Sequence, residues 1–283
     1  MIAWFKSVVE YIEFVSNRRR DPRYGILPNT KIVIVFVLLV FAALFLTYYF
    51  ADFPYFDWYY SRLWNQDRSS IFYHTTNIGR SDWMLWSSGG VILFMSIFRL
   101  SGASADFIVR WHHLFLKVYF VFTSVAFSGI LAVLLKLLIG RARPVATTPG
   151  YEVWDAMPLV RLFENTGFPS GHSTSIAAFS MAIYLLAPRI GIYLIPVAVW
   201  IGITRLAVGA HFPTDVVAGL ILGSTFTWLH ARNFACRRLL FEFTDEGRLK
   251  HRNSTVKQAR RFSRARKRNK ENIGLGRFFE KAF

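Results

Sequence analysis

Apolar residues run in blocks along this chain, and six of the blocks approach the length of a membrane crossing. A hydrocarbon core of about 30 Å takes about 20 helical residues. Blocks bounded by charge, Gly or Pro cover roughly residues 31–50, 83–100, 116–139, 170–188, 190–206 and 214–230, the last two near the short limit. The pattern predicts an all-α protein, a polytopic membrane helical bundle with six transmembrane helices. No repeat of 20 to 50 residues interrupts it.

Composition agrees with a membrane protein: the 283 residues are 53% hydrophobic and 17% aromatic, with a mean hydropathy of +0.32, too apolar for an ordinary soluble domain of this size. The net charge of +17 changes the picture less than it first suggests. Over residues 232–281, 16 Lys/Arg stand against 5 Asp/Glu, so most of the excess lies in one tail. Such a tail is a solvated cytoplasmic segment, with contact to anionic lipid as a second use and nucleic acid disfavoured. Arg18, Arg19, Arg20 and Arg23 precede the first block. Positive charge at both ends places both termini in the cytoplasm and requires an even number of spans. The first block lacks a small-residue cleavage pattern and reads as a retained signal anchor. The expected organisation is a cytoplasmic N-terminal segment over 1–29, a six-span core over 30–230 and a flexible basic cytoplasmic tail over 231–283. Three segments then face outward: 51–82, 140–169 and the turn 209–213. In the first of them Phe53, Tyr55, Phe56, Trp58, Tyr59 and Tyr60 suit an interfacial helix on the outer leaflet. The single cysteine, Cys236, excludes an intramolecular disulfide and any multi-cysteine metal site.

Charge at membrane depth is costly, so ionisable groups at span ends ask for a reason. In Lys136-Leu-Leu-Ile-Gly-Arg-Ala-Arg-Pro144, Lys136 and Arg143 are seven residues apart, two helical turns, and share a face if the helix persists that far. The alternative is that both only snorkel to the headgroups. Pro169-Ser170-Gly171-His172 opens the fourth block. A helix start offers unpaired N–H groups, Gly171 lets an anion approach the backbone, and the Ser170 hydroxyl adds a donor. Ser170 as a plain N-cap is the competing account. Thr204-Arg205, His211 and Asp215 flank the last outward turn. Asp215 can fix the tautomer of His211 and leave its other nitrogen free to attack, or only satisfy helix-start amides. The topology drawn from charge and length brings all these groups to one face. Three cations, an amide-rich helix start and two histidines, without a cluster of carboxylates or cysteines, suit an anion rather than a metal.

These residues resemble the type 2 phosphatidic acid phosphatase superfamily, whose signature is Lys-x6-Arg-Pro, Pro-Ser-Gly-His and Ser-Arg-x5-His-x3-Asp. The one departure is Thr204, which keeps the hydroxyl of the signature serine. The resemblance implies a six-helix core over about 31–230 and a metal-independent lipid phosphatase that needs no cofactor. It implies that His211 attacks phosphorus and becomes a phosphohistidine, that Asp215 orients it, and that His172 protonates the departing lipid oxygen. Lys136, Arg143 and Arg205 would hold the phosphate oxygens with Ser170 and the Gly171 amide.

The expected substrate is a phosphomonoester or diphosphate of a bacterial envelope lipid in the outer leaflet, met at the outer face of the inner membrane. Phosphatidic acid, phosphatidylglycerol phosphate, undecaprenyl diphosphate and lipid A phosphate all present the required anion. The rival within the same chemistry is a phosphotransferase moving phosphate between membrane lipids, for example onto or from lipid A or undecaprenyl diphosphate. An anion channel would need ionisable groups along the depth of the bundle, whereas here they gather at one end. The soluble vanadium haloperoxidases share the signature but lack such spans.

Overall fold

The computed structural model describes residues 21, 24–62, 71–97, 105–147 and 166–252. Arg18, Arg19, Arg20 and Arg23, much of the outward segment 140–169 and the tail beyond 252 lie outside the described residues.

The described chain is mostly helical. Helix α1 (Thr30–Thr47) passes through a π turn (Tyr48–Asp52) into α2 (Phe53–Arg62); α3 (Ile71–Thr75) and a 3₁₀ turn (Thr76–Gly79) lead to α4 (Ser81–Ile97). The long α5 (Ala105–Ile139), a 3₁₀ turn (Pro144–Ala146), α6 (Gly171–Leu186), α7 (Pro188–Ala207) and α8 (Pro213–Cys236) follow, and strands β1 (Phe241–Phe243) and β2 (Leu249–His251) close the order. All six predicted blocks carry helix. Among the described residues, three stretches are long and apolar enough to cross a membrane: Thr30–Ser61, Arg110–Ile139 and Pro188–Ala207. The other three blocks fall short for different reasons. α4 and α6 have 17 and 16 residues, under the length of a full crossing. α8 is long enough but carries Asp215, Gly219, Gly223 and several hydroxyls.

Contacts divide the chain into two units, one of residues 1–26, 86–122 and 229–283, the other of 27–85 and 123–228. In the first, Phe120 stacks on His230 at 5.3 Å and meets Phe234 and Phe241 edge-on. The hairpin pairs Phe241 with His251 and Phe243 with Leu249, so order continues about 20 residues beyond the predicted end of the core at 230.

The second unit holds all eight residues nominated from the sequence. α1 has no buried residue, and an apolar surface all round a helix belongs in lipid. By contrast α6 buries Ser173, Thr174, Ser175, Ala177, Ala178 and Ser180, small side chains that permit close helix approach. On α8, a Cβ at Gly219 would lie 2.5 Å from the Ser170 carbonyl, and one at Gly223 would collide with that of Thr174. Met84, Val125, Ile176, Ala178, Ala198 and Ile201, drawn from α4, α5, α6 and α7, form the apolar core beneath. Tyr55 and Tyr59 of α2 are buried with Phe212, so one face of the predicted interfacial helix packs against the turn that carries His211.

Candidate active site

α5 ends at Ile139 because Gly140 adopts φ +64°, a left-handed conformation that glycine adopts without a Cβ penalty. Lys136 and Arg143 therefore do not share a continuous helical face. They meet by another route: Lys136 Nζ donates to the carbonyls of Thr166 and Gly167 at 3.0 Å each, and Arg143 Nε donates to Thr166 at 3.2 Å.

Backbone hydrogen bonds join the three predicted groups. Gly167 N–H donates to the Arg141 carbonyl at 2.6 Å, Ser170 N–H to the Asp215 carbonyl at 2.9 Å, and Val145 N–H to the Gly209 carbonyl at 3.1 Å. Main-chain groups cannot rotate away as side chains do, so these links fix the segments against one another. The end of α5 is thereby bound to the approach to α6, that approach to the start of α8, and the 3₁₀ turn after Arg143 to the turn before His211.

Ser170 caps α6, its Oγ accepting from Ser173 N–H at 3.4 Å and from Ser173 Oγ at 3.0 Å. The N-cap account is thus correct for Ser170. It leaves the site function open, since a cap and an anion seat use the same helix end. A Cβ built on Gly171 would meet nothing within 4 Å, so the backbone there is open to approach. His172 is partly buried at the next position, beside Gly79 on the 3₁₀ turn before α4, where a Cβ would come within 3.2 Å of the His172 Cβ.

Arg205 Nη1 donates to Thr76 Oγ1 at 2.9 Å, while its buried Nε–H has no partner among the described residues. A buried guanidinium donor without an acceptor calls for one. Thr204 Oγ1 donates to the Ile201 carbonyl at 2.7 Å, a bond within its own helix, which any hydroxyl of the signature position could make. His211 is 2% exposed, and its Nδ1 lies 3.5 Å from Asp215 Oδ2, longer than a well-formed hydrogen bond. Burial pushes the His211 imidazole down to about 4; Asp215 pulls the other way, and Lys136 and Arg205 reinforce the fall. Burial also lowers the Arg143 guanidinium, against the attraction of Asp215. Among the described residues no group of three or more His, Cys, Asp or Glu is placed to hold a metal ion.

All eight sequence-nominated residues lie within the second unit, and the linked segments carry them from the ends of α5 and α7 and the starts of α6 and α8. Two buried residues escaped the sequence reading: Arg141, 1% exposed, and Asp52, 3% exposed. The signal for Asp52 was a carboxylate at the end of an apolar run, where charge is costly. Arg141 was hidden between two better-spaced cations.

Residues 117–238 match the family model described as the PAP2 superfamily. Over 179 residues the chain is 39% identical to the lipid A 1-phosphatase of Rhizobium johnstonii, covering 61% of this chain and 70% of that protein. The chain belongs to the PAP2 superfamily. This PAP2 protein is also 45% identical over 128 residues to the lipid A 1-phosphatase of Rhizobium etli, covering 45% of this chain and 55% of the relative. A transmembrane PAP2-type phosphatidylglycerolphosphate phosphatase from Bacillus subtilis superposes with a TM-score of 0.47 at 21% identity, covering 70% of this chain and 91% of that one. With this family and with helices able to cross a membrane among its described residues, the chain is a membrane lipid phosphatase, a hydrolase of phosphate esters.

Proposed function

We propose that this enzyme hydrolyses a phosphate ester of a bacterial envelope lipid through a phosphohistidine on His211, without a metal ion. The observation that carries the reading is the set of main-chain hydrogen bonds linking the segments of Lys136–Arg143, Ser170–His172 and Arg205–Asp215. Phosphoryl transfer asks chiefly for positioning and charge stabilisation, and this array offers both.

In the first step His211 Nε2 attacks phosphorus, the bond from phosphorus to the lipid oxygen breaks, and His172 gives that oxygen its proton. Asp215 fixes Nδ1–H and so directs the other nitrogen outward. In the second step water attacks the phosphohistidine, His172 takes a proton from the water, and inorganic phosphate leaves with His211 restored. Lys136, Arg143 and Arg205 hold the equatorial oxygens, with Ser170 and the Gly171 amide at the helix start.

A cavity of about 570 Å³ touches both Lys136 and His172 and is walled by Leu85, Val125, Ile130, Val133 and their neighbours. Arg80, Ser81 and Asp82 also line it, but most of its wall is apolar, which supports a lipid rather than a soluble ester. The 1-phosphate of lipid A is the first substrate to test, since two rhizobial relatives are named for it. An undecaprenyl-diphosphatase of Sulfolobus acidocaldarius, 36% identical over 63 residues, makes a prenyl diphosphate the second. The positive flanks support an arrangement of six spans with both termini cytoplasmic and the site at the periplasmic face, the basic tail free to meet anionic lipid.

Purified protein incubated with lipid A, undecaprenyl diphosphate, phosphatidic acid and phosphatidylglycerol phosphate should release inorganic phosphate without an acceptor lipid and equally with a chelator present. Release that needs a second lipid would establish transfer, and release stopped by the chelator would oppose the metal-free mechanism.

The pH profile follows from the two histidines. His211 must be neutral to attack; with its pKa near 4 it stays neutral down to about pH 5, well below the point at which an ordinary histidine near 6.5 is protonated. The alkaline side belongs to the complex, in which the negative phosphate holds on His172 the proton that it must donate. The expected acid limb of kcat/KM lies near pH 4 and the expected kcat profile is bell-shaped; a flat kcat from pH 5 to 9 opposes the assignment.

His172→Ala should slow the first step, read as the burst of alcohol, by about 10²–10⁴-fold for lipid phosphates, the usual range for a general acid, and far less for nitrophenyl phosphate, because nitrophenolate leaves without a proton. Equal losses in that burst on both substrates would remove the acid role from His172.

A further inference from the structure

Arg141 is two residues from Arg143 yet is engaged elsewhere. Its guanidinium donates through Nη1 to Asp215 Oδ1 at 2.8 Å and through Nη2 to Asp52 Oδ2 at 2.6 Å, and lies 4.2 Å over the ring of Phe212. Asp52 also accepts from Thr214, N–H to Oδ1 at 3.0 Å and hydroxyl to Oδ2 at 2.8 Å. Asp215 Oδ2 accepts from the Phe212 N–H at 2.9 Å and is the oxygen that faces His211 Nδ1. A Cβ on Gly167 would come within 2.9 Å of that same oxygen, so the carboxylate is enclosed on that side too.

Three buried charges are a costly way to hold helices together, since apolar packing often does as well or better. The geometry has a use that apolar packing lacks. The Asp215 oxygens are divided: Arg141 holds Oδ1 and the Phe212 amide holds Oδ2. Rotating the carboxylate breaks two charge-assisted bonds, so Oδ2 stays turned toward the imidazole. Asp52 grips Arg141 and the first turn of α8 together, so the anchor of Asp215 moves with the helix that carries it. Arg141 also offsets the charge of Asp215, the one anion among the groups facing His211, the others being Lys136, Arg205 and His172.

We propose that Asp52 and Arg141 are positioning residues for phosphoryl transfer, locking the Asp215 carboxylate in the orientation that aims His211 and moderating its pull on the imidazole. This rests on His211 being the nucleophile.

The test uses the full chain reconstituted in vesicles, with turnover expressed per folded molecule by size exclusion. Arg141→Gln and Asp52→Asn should each lower kcat by about 10–100-fold, as for other residues that orient a reacting group from behind, with KM changed by no more than about threefold. Arg141→Gln should raise the acid limb by about one pH unit, because an uncompensated Asp215 stabilises the imidazolium. Arg141→Lys should keep the wild-type limb and recover part of kcat. Added to Asp215→Asn, either change should cost no more than about twofold further, since the route through Asp215 is already gone. Should Arg141→Gln fail to fold, Asp52→Asn and Arg141→Lys decide the matter. Wild-type kcat per folded molecule, a loss that multiplies on that of Asp215→Asn, or a change confined to KM would each overturn the proposal. Residual turnover in His211→Ala would instead bring down the reading beneath it.

Discussion

His211→Ala should abolish turnover, with kcat lower by at least about 10⁴-fold, the scale on which removal of a catalytic nucleophile is felt. The substitution removes the attacking nitrogen and leaves the cations, which bind the anion without breaking its ester. Substrate binding should accordingly persist, with lipid phosphate still retained by the variant in an equilibrium assay. Rapid quenching should detect no burst of alcohol product. The change trims a side chain that is 2% exposed, so its folding must be checked by size exclusion before turnover is compared. A variant that folds and still hydrolyses lipid phosphate at more than about a hundredth of the wild-type rate would move the nucleophile to another residue.

Asp215→Asn should have the second largest effect, about 10³–10⁴-fold on kcat, with a smaller change in KM. Loss of the orienting carboxylate from a histidine triad acts through the wrong tautomer at this scale. Asparagine can offer its amide hydrogens to Nδ1 and so turn the proton onto the attacking nitrogen. There is a stability cost as well. Arg141 then faces a neutral amide at Oδ1 and keeps Asp52 as a counter-charge, and breaking a buried ion pair on one side costs about 3–5 kcal/mol. Melting in detergent should fall along with kcat. If melting falls while kcat per folded molecule is unchanged, Asp215 is only a helix-start carboxylate.

Much of this was legible in the sequence for a physical reason. A bilayer sets a length that apolar blocks must approach, so helix positions follow from hydropathy. The helix starts at Gly171 and Pro213 and the helix end near Ile139 were marked by Gly, Pro and polar breaks. The signature residues stood at those ends, which is why the candidate site could be drawn before any coordinates. What escaped depended on contacts between distant positions. The Gly140 turn redirects Arg143, and only the fold shows that Lys136 and Arg143 converge on the Thr166 carbonyl. Asp52 lies 89 residues from Arg141, and no local pattern links them. Tyr55 and Tyr59 have the composition of an interfacial anchor, yet their burial against Phe212 places them behind the His211 turn, where Tyr55 Oη donates to the Leu206 carbonyl at 2.7 Å. The hydropathy of α6 and α8 is low because they pack closely through Ser, Ala and Gly, as helices with little apolar surface can.

Chemical mapping of the phosphoenzyme is the most direct test of His211 as the nucleophile. Wild-type protein mixed with labelled lipid phosphate, quenched within one turnover under alkaline conditions that preserve phosphoramidates, and digested for mass spectrometry should carry phosphate on the His211 peptide alone. Phosphate found on His172, or on a serine such as Ser170, would contradict it.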